Sequence, residues 1–228
     1  MAIVTAGFMS LTMSMMQPVA PIDALASDVQ LIGANFAAAY NRCGARPSFL
    51  PNLKVETHPA LISYEPSDRT VRVSRYSELP PELQGLMTGW AEAAGMEDSQ
   101  TLFVDVFNSL LVPHELGHWA QHVSGRLAGL DRWESELEAN RIAIAFWRIH
   151  ETTGGALPAR IDAFTGFLGR LPNPVPDGQD PRAFFNDNYE TLDSMQYGWF
   201  QGALMQEAWT NPENVSFCEL VQPEAVVP

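Results

Sequence analysis

Apolar residues recur at helical spacing along most of this chain, and between residues 53 and 76 they alternate with polar residues instead. A first helix is expected from Ser27 to Cys43, because Phe36 and Tyr40 continue one apolar stripe and Gly44 can end it. Further helices are expected at 80–94, 101–112, 161–171 and 190–209, with two more through residues 114–118 and 134–147. Residues 152–156 form a break and 172–178 a proline-rich surface loop.

The alternating stretch predicts a small antiparallel sheet. Leu53–His58, Leu61–Glu65 and Thr70–Tyr76 each alternate like strands, and Pro66–Arg69 supplies a turn between the last two. Together with the helices, this pattern indicates an α+β fold that is mainly α-helical.

The length and composition of the chain favour one folded domain. Its 228 residues are 46% apolar and include six tryptophans, which is typical of a globule with a sizeable core. The formal net charge is −14, and Lys54 is the single lysine. Such a surface repels phosphate backbones and anionic lipid headgroups, so no nucleic-acid partner is expected.

Residues 1–26 resemble a secretory signal peptide. The segment 2–16 is largely apolar, and Ala24-Leu25-Ala26 has the small-x-small form of a cleavage site. The apolar run is too short for a stable membrane span. No Lys or Arg precedes it, so a buried N-terminal helix is the alternative. We therefore expect an exported protein, periplasmic or secreted, whose mature domain covers residues 27–228.

The chain has two cysteines, Cys43 and Cys218, near opposite ends of the expected mature domain. In an oxidising compartment, a disulfide between them would tie the first helix to the tail. Two buried thiols remain the alternative, because sequence does not fix the distance between them.

The segment His114-Glu115-Leu116-Gly117-His118 carries the chemistry of the sequence. Two histidines four residues apart on a helix share one face and can reach the same metal ion. The glutamate between them can take a proton from an attacking water molecule, as in HExxH zinc peptidases. Pro113 lacks an N–H, so it either kinks the preceding helix or starts a new one immediately before His114.

A catalytic zinc ion needs a third protein ligand, and three downstream glutamates are candidates. Glu136 lies on the same helical face as Asn140, whereas Glu134 and Glu138 share a different face. The helix becomes apolar nearly all round at 142–147, and a glutamate that enters such a buried helix needs a partner.

At this point the chain resembles the gluzincins, most closely those with an ExxAD-type second helix such as the HtpX-like and CAAX-prenyl endopeptidases. The resemblance covers residues 111–140 and implies zinc bound by His114, His118 and Glu136. Asn140 stands where the pattern has an aspartate that orients a ligand histidine. The resemblance also implies a zincin-like core with the sheet above the active-site helix. Thr70–Tyr76 is the candidate edge strand for a peptide substrate, with an ordinary covered strand as the alternative.

Other metal sites fit these residues less well. Metzincins require HExxHxxGxxH, but Gln121 and Ser124 occupy the last two defined positions. A di-iron bundle requires a second ExxH unit, which the chain lacks. His122 lies roughly 12 Å along the helix from His114, so it is interpreted as a rim or packing residue. A metal-free histidine pair hydrogen-bonded to carboxylates is the purely structural alternative.

These patterns predict a zinc metallopeptidase that acts on peptide or protein substrates, with Glu115 as general base and proton donor. Tyr197 is the candidate for stabilising the oxyanion, and Tyr189 is the second choice. The alternative is a catalytically inactive zinc-bearing binding or scaffold protein of the cell envelope, which Asn140 favours.

Overall fold

The computed structural model describes residues 23–150, 156–210 and 215–222. Three strands fall within these ranges: β1 (Asn52–Val55), β2 (Ile62–Glu65) and β3 (Thr70–Val73). The helices of the same ranges are α1 (Ala24–Arg42), α2 (Pro81–Ala93), α3 (Ser99–Asp105), α4 (Val112–Val123), α5 (Arg132–His150), α6 (Ala156–Leu168), α7 (Pro181–Asn188), α8 (Ser194–Thr210) and α9 (Phe217–Val221). The mainly helical α+β architecture is thereby confirmed.

The three strands form a mixed sheet in the order β1-β3-β2. β2 and β3 pair antiparallel across the predicted turn, but β1 pairs parallel with β3, so the expectation of a purely antiparallel sheet was wrong. β3 is the central strand, and the choice of Thr70–Tyr76 as the edge was therefore also wrong. The edge strand that faces α4 is β2.

The burial of β3 explains its central position. Val71 and Val73 are fully buried, and Thr70 and Ser74 are buried as well. A strand covered on both faces fits the middle of a sheet. In β1, exposed and half-buried residues alternate instead, as expected at an edge.

Helix boundaries follow local capping groups. α1 begins at Ala24 rather than Ser27, because the Asp23 carboxylate accepts a hydrogen bond from the Ala26 N–H. α8 begins at Ser194 rather than near residue 190, because Asp193 accepts hydrogen bonds from the N–H groups of Met195 and Gln196. α6 begins before the predicted residue 161, and α7 was not predicted.

The N-terminal prediction and the break after α5 fall largely outside the described residues. Residues 1–22 and 151–155 belong to none of the described ranges. The proposed cleavage tripeptide at 24–26 lies in the first turn of α1. Of the helices in the described residues, none is long and apolar enough to cross a membrane.

A π-helical turn at Val106–Leu110 separates α3 from α4. The N–H of Leu111, the residue after this turn, bonds to the Val106 carbonyl. The Leu110 carbonyl accepts a hydrogen bond from the Trp147 indole on α5. α4 then starts anew with Pro113 in its first turn, where a missing N–H is tolerated. Of the two outcomes expected from Pro113, a kinked helix or a new one, the structure has the second, since α4 begins at Val112.

Candidate metal centre

Helix α4 carries His114 and His118 into the interior on one face. The imidazoles lie edge to face with their ring centroids 4.8 Å apart. Their side chains are only 5% and 14% exposed. Leu116 and Trp119 are buried on the other sides of the helix and anchor it in the core. The predicted helical pair is therefore present and points into the protein.

Close packing of α4 against α5 brings the third group to the histidines. A side chain at Gly117 would place its Cβ 3.1 Å from the Ala139 Cα and 3.3 Å from the Ala139 Cβ. Only glycine fits this contact without moving α5. Glu136 lies on α5 one turn before Ala139 and is 4% exposed. The small residues thus set the separation between the two helices that carry the site.

Three atoms from these side chains form a compact triangle. The Nε2 atoms of the two histidines are 3.2 Å apart, and Oε2 of Glu136 lies 3.2 Å from that of His114 and 3.5 Å from that of His118. Tetrahedral coordination of zinc at about 2.0–2.2 Å places neighbouring ligand atoms about 3.3–3.6 Å apart. The triangle therefore has the dimensions and donor types of a metal site. Among the described residues, this trio is a group that could hold a metal ion.

The second nitrogen of each imidazole faces an amide oxygen. Nδ1 of His114 lies 2.9 Å from Oδ1 of Asn140, and Nδ1 of His118 lies 3.0 Å from Oε1 of Gln121. An amide oxygen only accepts, so each Nδ1 carries the proton and donates. Each Nε2 then presents a lone pair to the centre of the triangle, as a metal ligand must.

The electrostatics of the trio match this geometry. Burial raises the pKa of a carboxyl group, but the two imidazoles outweigh burial and hold the pKa of Glu136 well below its usual range. Burial lowers the pKa of an imidazole, but the Glu136 carboxylate outweighs it and raises the pKa of His118 to about 9. Without a metal, a proton on His118 supplies the positive charge that the buried carboxylate requires. A cation would take the place of that proton.

Two further side chains hold the Glu136 carboxylate. The Tyr189 hydroxyl donates to Oε1 at 3.0 Å, and the Gln201 amide donates to Oε2 at 3.0 Å. Both donors fix the carboxylate with Oε2 towards the histidines. Sequence analysis missed Gln201 in this role, although Gln201 lies one helical turn from Tyr197 on α8.

Glu115 lies beside the trio and meets the edge strand. Its Oε2 accepts a hydrogen bond of 2.6 Å from the backbone N–H of Tyr64 on β2. Glu115 is 8% exposed and lines the same cavity as the three candidate ligands. The sequence predicted the carboxylate but not the strand that holds it.

Tyr197 and Tyr189 both line the cavity, with ring centroids 5.9 Å apart and edge-to-face packing. Burial, and then the negative charge of Glu136, raise the pKa of Tyr197 well above its usual value. The same two causes raise the pKa of Tyr189. Both phenols are therefore protonated donors at neutral pH. Tyr189 already donates to Glu136.

His122 takes no part in the trio. Its Nδ1 lies 2.8 Å from the Tyr64 hydroxyl, and its ring packs against Phe49 with centroids 5.4 Å apart. Its interpretation as a packing residue is confirmed. The contact between His122 and Tyr64 joins α4 to β2 at the same residue of the strand that donates a hydrogen bond to Glu115.

A cavity of about 510 Å³ opens onto the trio from the side of α2, α6 and α8. Its walls are mainly apolar and include Leu83, Trp90, Phe107, Phe164, Phe167 and Leu171. A second cavity of about 500 Å³ also reaches His118 and Glu136, and Asp131, Arg132 and Asn186 make it polar. His118 and Glu136 thus border both an apolar and a polar chamber, and His114 borders the apolar one.

Comparison of the chain with known protein families, with curated proteins and with solved structures finds no match. The structure brings together His114, Glu115, His118 and Glu136, with Asn140 behind His114 and Tyr197 in the cavity wall. Two imidazoles, a carboxylate ligand and a nearby carboxylate base are a set that can bind a divalent cation and handle a proton beside it.

Proposed function

We propose that this protein is a zinc-dependent metallopeptidase. The observation that carries the proposal is the triangle of two Nε2 atoms and one carboxylate oxygen, with edges of 3.2, 3.2 and 3.5 Å. It supplies three ligands and leaves the cavity side open, as catalytic zinc sites do. The second carboxylate, Glu115, borders the same cavity, and a purely structural metal site has no use for it.

The side chains divide the work of hydrolysis between them. Zinc, when bound, supplies Lewis acidity that polarises the scissile carbonyl and acidifies water. Glu115 accepts the proton of the attacking water on its carboxylate and delivers it to the leaving amine. The protonated Tyr197 donates a hydrogen bond to the oxyanion as charge develops on the carbonyl oxygen. Asn140 holds the Nδ1 proton of His114 throughout.

The edge of β2 supports a peptide substrate. The Ser74 N–H bonds to the Leu61 carbonyl, so the backbone groups of residues 61, 63 and 65 face β3. Those of Ile62 and Tyr64 face the opposite way, towards the cavity. The Ile62 N–H already bonds to the Ala60 carbonyl and the Tyr64 N–H to Glu115, so a peptide would pair with the carbonyls of Ile62 and Tyr64. An extended peptide that adds to this edge would pass directly over the trio.

The apolar chamber indicates which peptides are preferred. A substrate side chain next to the scissile bond would enter walls formed by tryptophan, phenylalanine and leucine. Burial of a large apolar side chain there contributes about 1.5–3 kcal/mol to binding. We therefore expect cleavage beside bulky apolar residues.

The disulfide between Cys43 and Cys218 supports the proposed export of the protein. Disulfides form and persist in oxidising compartments such as the periplasm or the extracellular space. The net charge of −14 disfavours nucleic acids as partners, so peptides and proteins remain the proposed substrates.

Digestion of a peptide library tests the proposal. Zinc-loaded protein should cleave peptides beside bulky apolar residues, and Glu115→Gln should bind zinc equally well while losing at least about 100-fold in rate. Glu207→Gln, an exposed change on α8, is the matched control and should cleave like the wild type. Zinc binding without any cleavage by the wild type would instead favour the inactive binding or scaffold protein.

A further inference from the structure

Gln121 is a fully buried polar side chain on α4, one turn beyond His118. Its Oε1 lies 3.0 Å from Nδ1 of His118 and accepts a hydrogen bond of 2.9 Å from the Ser135 hydroxyl. Its Nε2 donates to the Ser135 carbonyl at 2.9 Å and to Oε1 of Glu138 at 3.2 Å. The amide therefore uses both acceptor positions and both donor protons.

This complete set of partners fixes the orientation of the amide. Rotation by a half turn would point the NH₂ group at His118 and leave the Gln121 oxygen against two other oxygens, one of them a carboxylate. Two buried donors and acceptors would then lose their partners, which costs about 1–3 kcal/mol each. The oxygen thus faces His118, whose Nδ1 must carry the proton.

Glu138 is itself held by a second contact. Its Oε2 accepts a hydrogen bond of 2.8 Å from Nη1 of Arg126, and both side chains are 18% exposed. Nη2 of Arg126 donates to the Leu220 carbonyl on α9 at 2.7 Å. A continuous chain of hydrogen bonds therefore runs from α9 through Arg126, Glu138 and Gln121 to His118.

The partner of the other histidine is less constrained. Oδ1 of Asn140 accepts from His114, but among the described residues Nδ2 of Asn140 is buried without a hydrogen-bond partner. Only half of that amide is thus held by hydrogen bonds. The network behind His118 is the more rigid of the two.

We propose that Gln121 is a positioning residue for the metal ligand His118 and that Glu138 and Arg126 hold it in that role. It keeps the imidazole proton on Nδ1 and directs the Nε2 lone pair at the metal. The inference rests on the metal site of the proposed function but not on peptidase activity. Partners of this kind typically change metal affinity by about 10–100-fold.

Zinc affinity, measured by competition with a chromophoric chelator, tests the role of Gln121. Gln121→Met keeps the volume but removes every hydrogen bond, and we expect zinc to bind about 10–100-fold more weakly. Gln121→Glu keeps an oxygen towards His118, so its affinity should lie between those of the Met variant and the wild type. Gln84→Met is the matched control, because Gln84 lies on a different helix, α2, and its amide donates to the Leu79 carbonyl.

One further readout and one further variant separate positioning from a general loss of stability. The visible spectrum of the cobalt-loaded protein reports ligand geometry and should change in Gln121→Met but not in Gln84→Met. If Gln121→Met does not fold, Glu138→Met decides the question, with an expected loss of about tenfold in zinc affinity. Wild-type affinity and an unchanged cobalt spectrum in the folded variants would overturn the inference. Tight zinc binding by the wild type without peptide cleavage would overturn only the proposed function.

Discussion

At the residue scale, the side chains that accept hydrogen bonds from the two candidate ligand histidines are neutral. Asn140 and Gln121 accept the imidazole protons through amide oxygens, where a carboxylate would add a negative charge. Glu136 and Glu115 are the two carboxylates that line the cavity at the trio. A divalent cation would neutralise both of them, which matters in a buried site because an uncompensated charge there is costly.

The two tyrosines are expected to differ in what their hydroxyl groups do. Tyr197→Phe removes a donor from the cavity wall, so we expect the rate of peptide cleavage to fall about 100-fold with zinc affinity unchanged. Tyr189→Phe removes the hydrogen bond to Glu136, so zinc affinity should fall about tenfold. Steady-state kinetics and zinc competition measure the two effects. The reverse assignment of effects would contradict the proposed roles.

At the element scale, the close contact between α4 and α5 determines whether the ligands converge. Gly117 faces the backbone of Ala139 at a distance that no side chain can share without movement. This contact sets the distance between the turn of α4 that carries His114 and His118 and the turn of α5 that carries Glu136. The geometry of the trio is therefore a property of a helix pair rather than of a motif alone.

Gly117→Ala should destabilise the protein by about 1–3 kcal/mol, because the new Cβ overpacks the contact between α4 and α5. Zinc affinity should fall as the helices separate. Gly89→Ala is the control, because Gly89 lies in helix α2 with open space around it and alanine there should stabilise by up to about 1 kcal/mol. Chemical denaturation measures the stability of both variants, and competition with a chelator measures their zinc affinity. Equal stability of Gly117→Ala and the wild type would show that the contact does not set the spacing.

Periodicity predicted those elements whose signals are local. The shared face of His114 and His118 follows from helical geometry within a few residues. The same geometry separated Glu136 from Glu134 and Glu138, and the resemblance to the ExxAD pattern then selected Glu136. The parallel pairing of β1 with β3 did not follow, because a parallel neighbour joins through a long connection that leaves no short-range signature. The hydrogen bond from the Tyr64 backbone to Glu115 was missed for the same reason.

At the scale of the whole molecule, a disulfide joins the two ends of the described chain. Cys43 follows α1, Cys218 lies on α9, and the two are 175 positions apart in the sequence. The Gln222 amide adds a hydrogen bond to the Cys43 carbonyl, and Phe217 packs against Phe36 of α1. These contacts hold the short α9 against the first helix. They also fix the position of the Leu220 carbonyl, which accepts the hydrogen bond from Arg126.

Replacement of both cysteines by serine should therefore lower the free energy of unfolding by about 2–5 kcal/mol. A reductant should lower the melting temperature of the wild type to that of the double variant and leave the double variant unchanged. Thermal unfolding with and without reductant measures this. Equal melting temperatures of the two proteins under oxidising conditions would contradict the structural role of the disulfide.

The zinc content of the purified protein tests the central claim most directly. Elemental mass spectrometry would compare the wild type with His118→Ala after both are supplied with zinc and dialysed. We expect about one zinc ion per wild-type chain, because the three donors form one mononuclear site, and almost none in the variant. No retained zinc in the wild type, or equal zinc in both proteins, would contradict a metal centre at His114, His118 and Glu136.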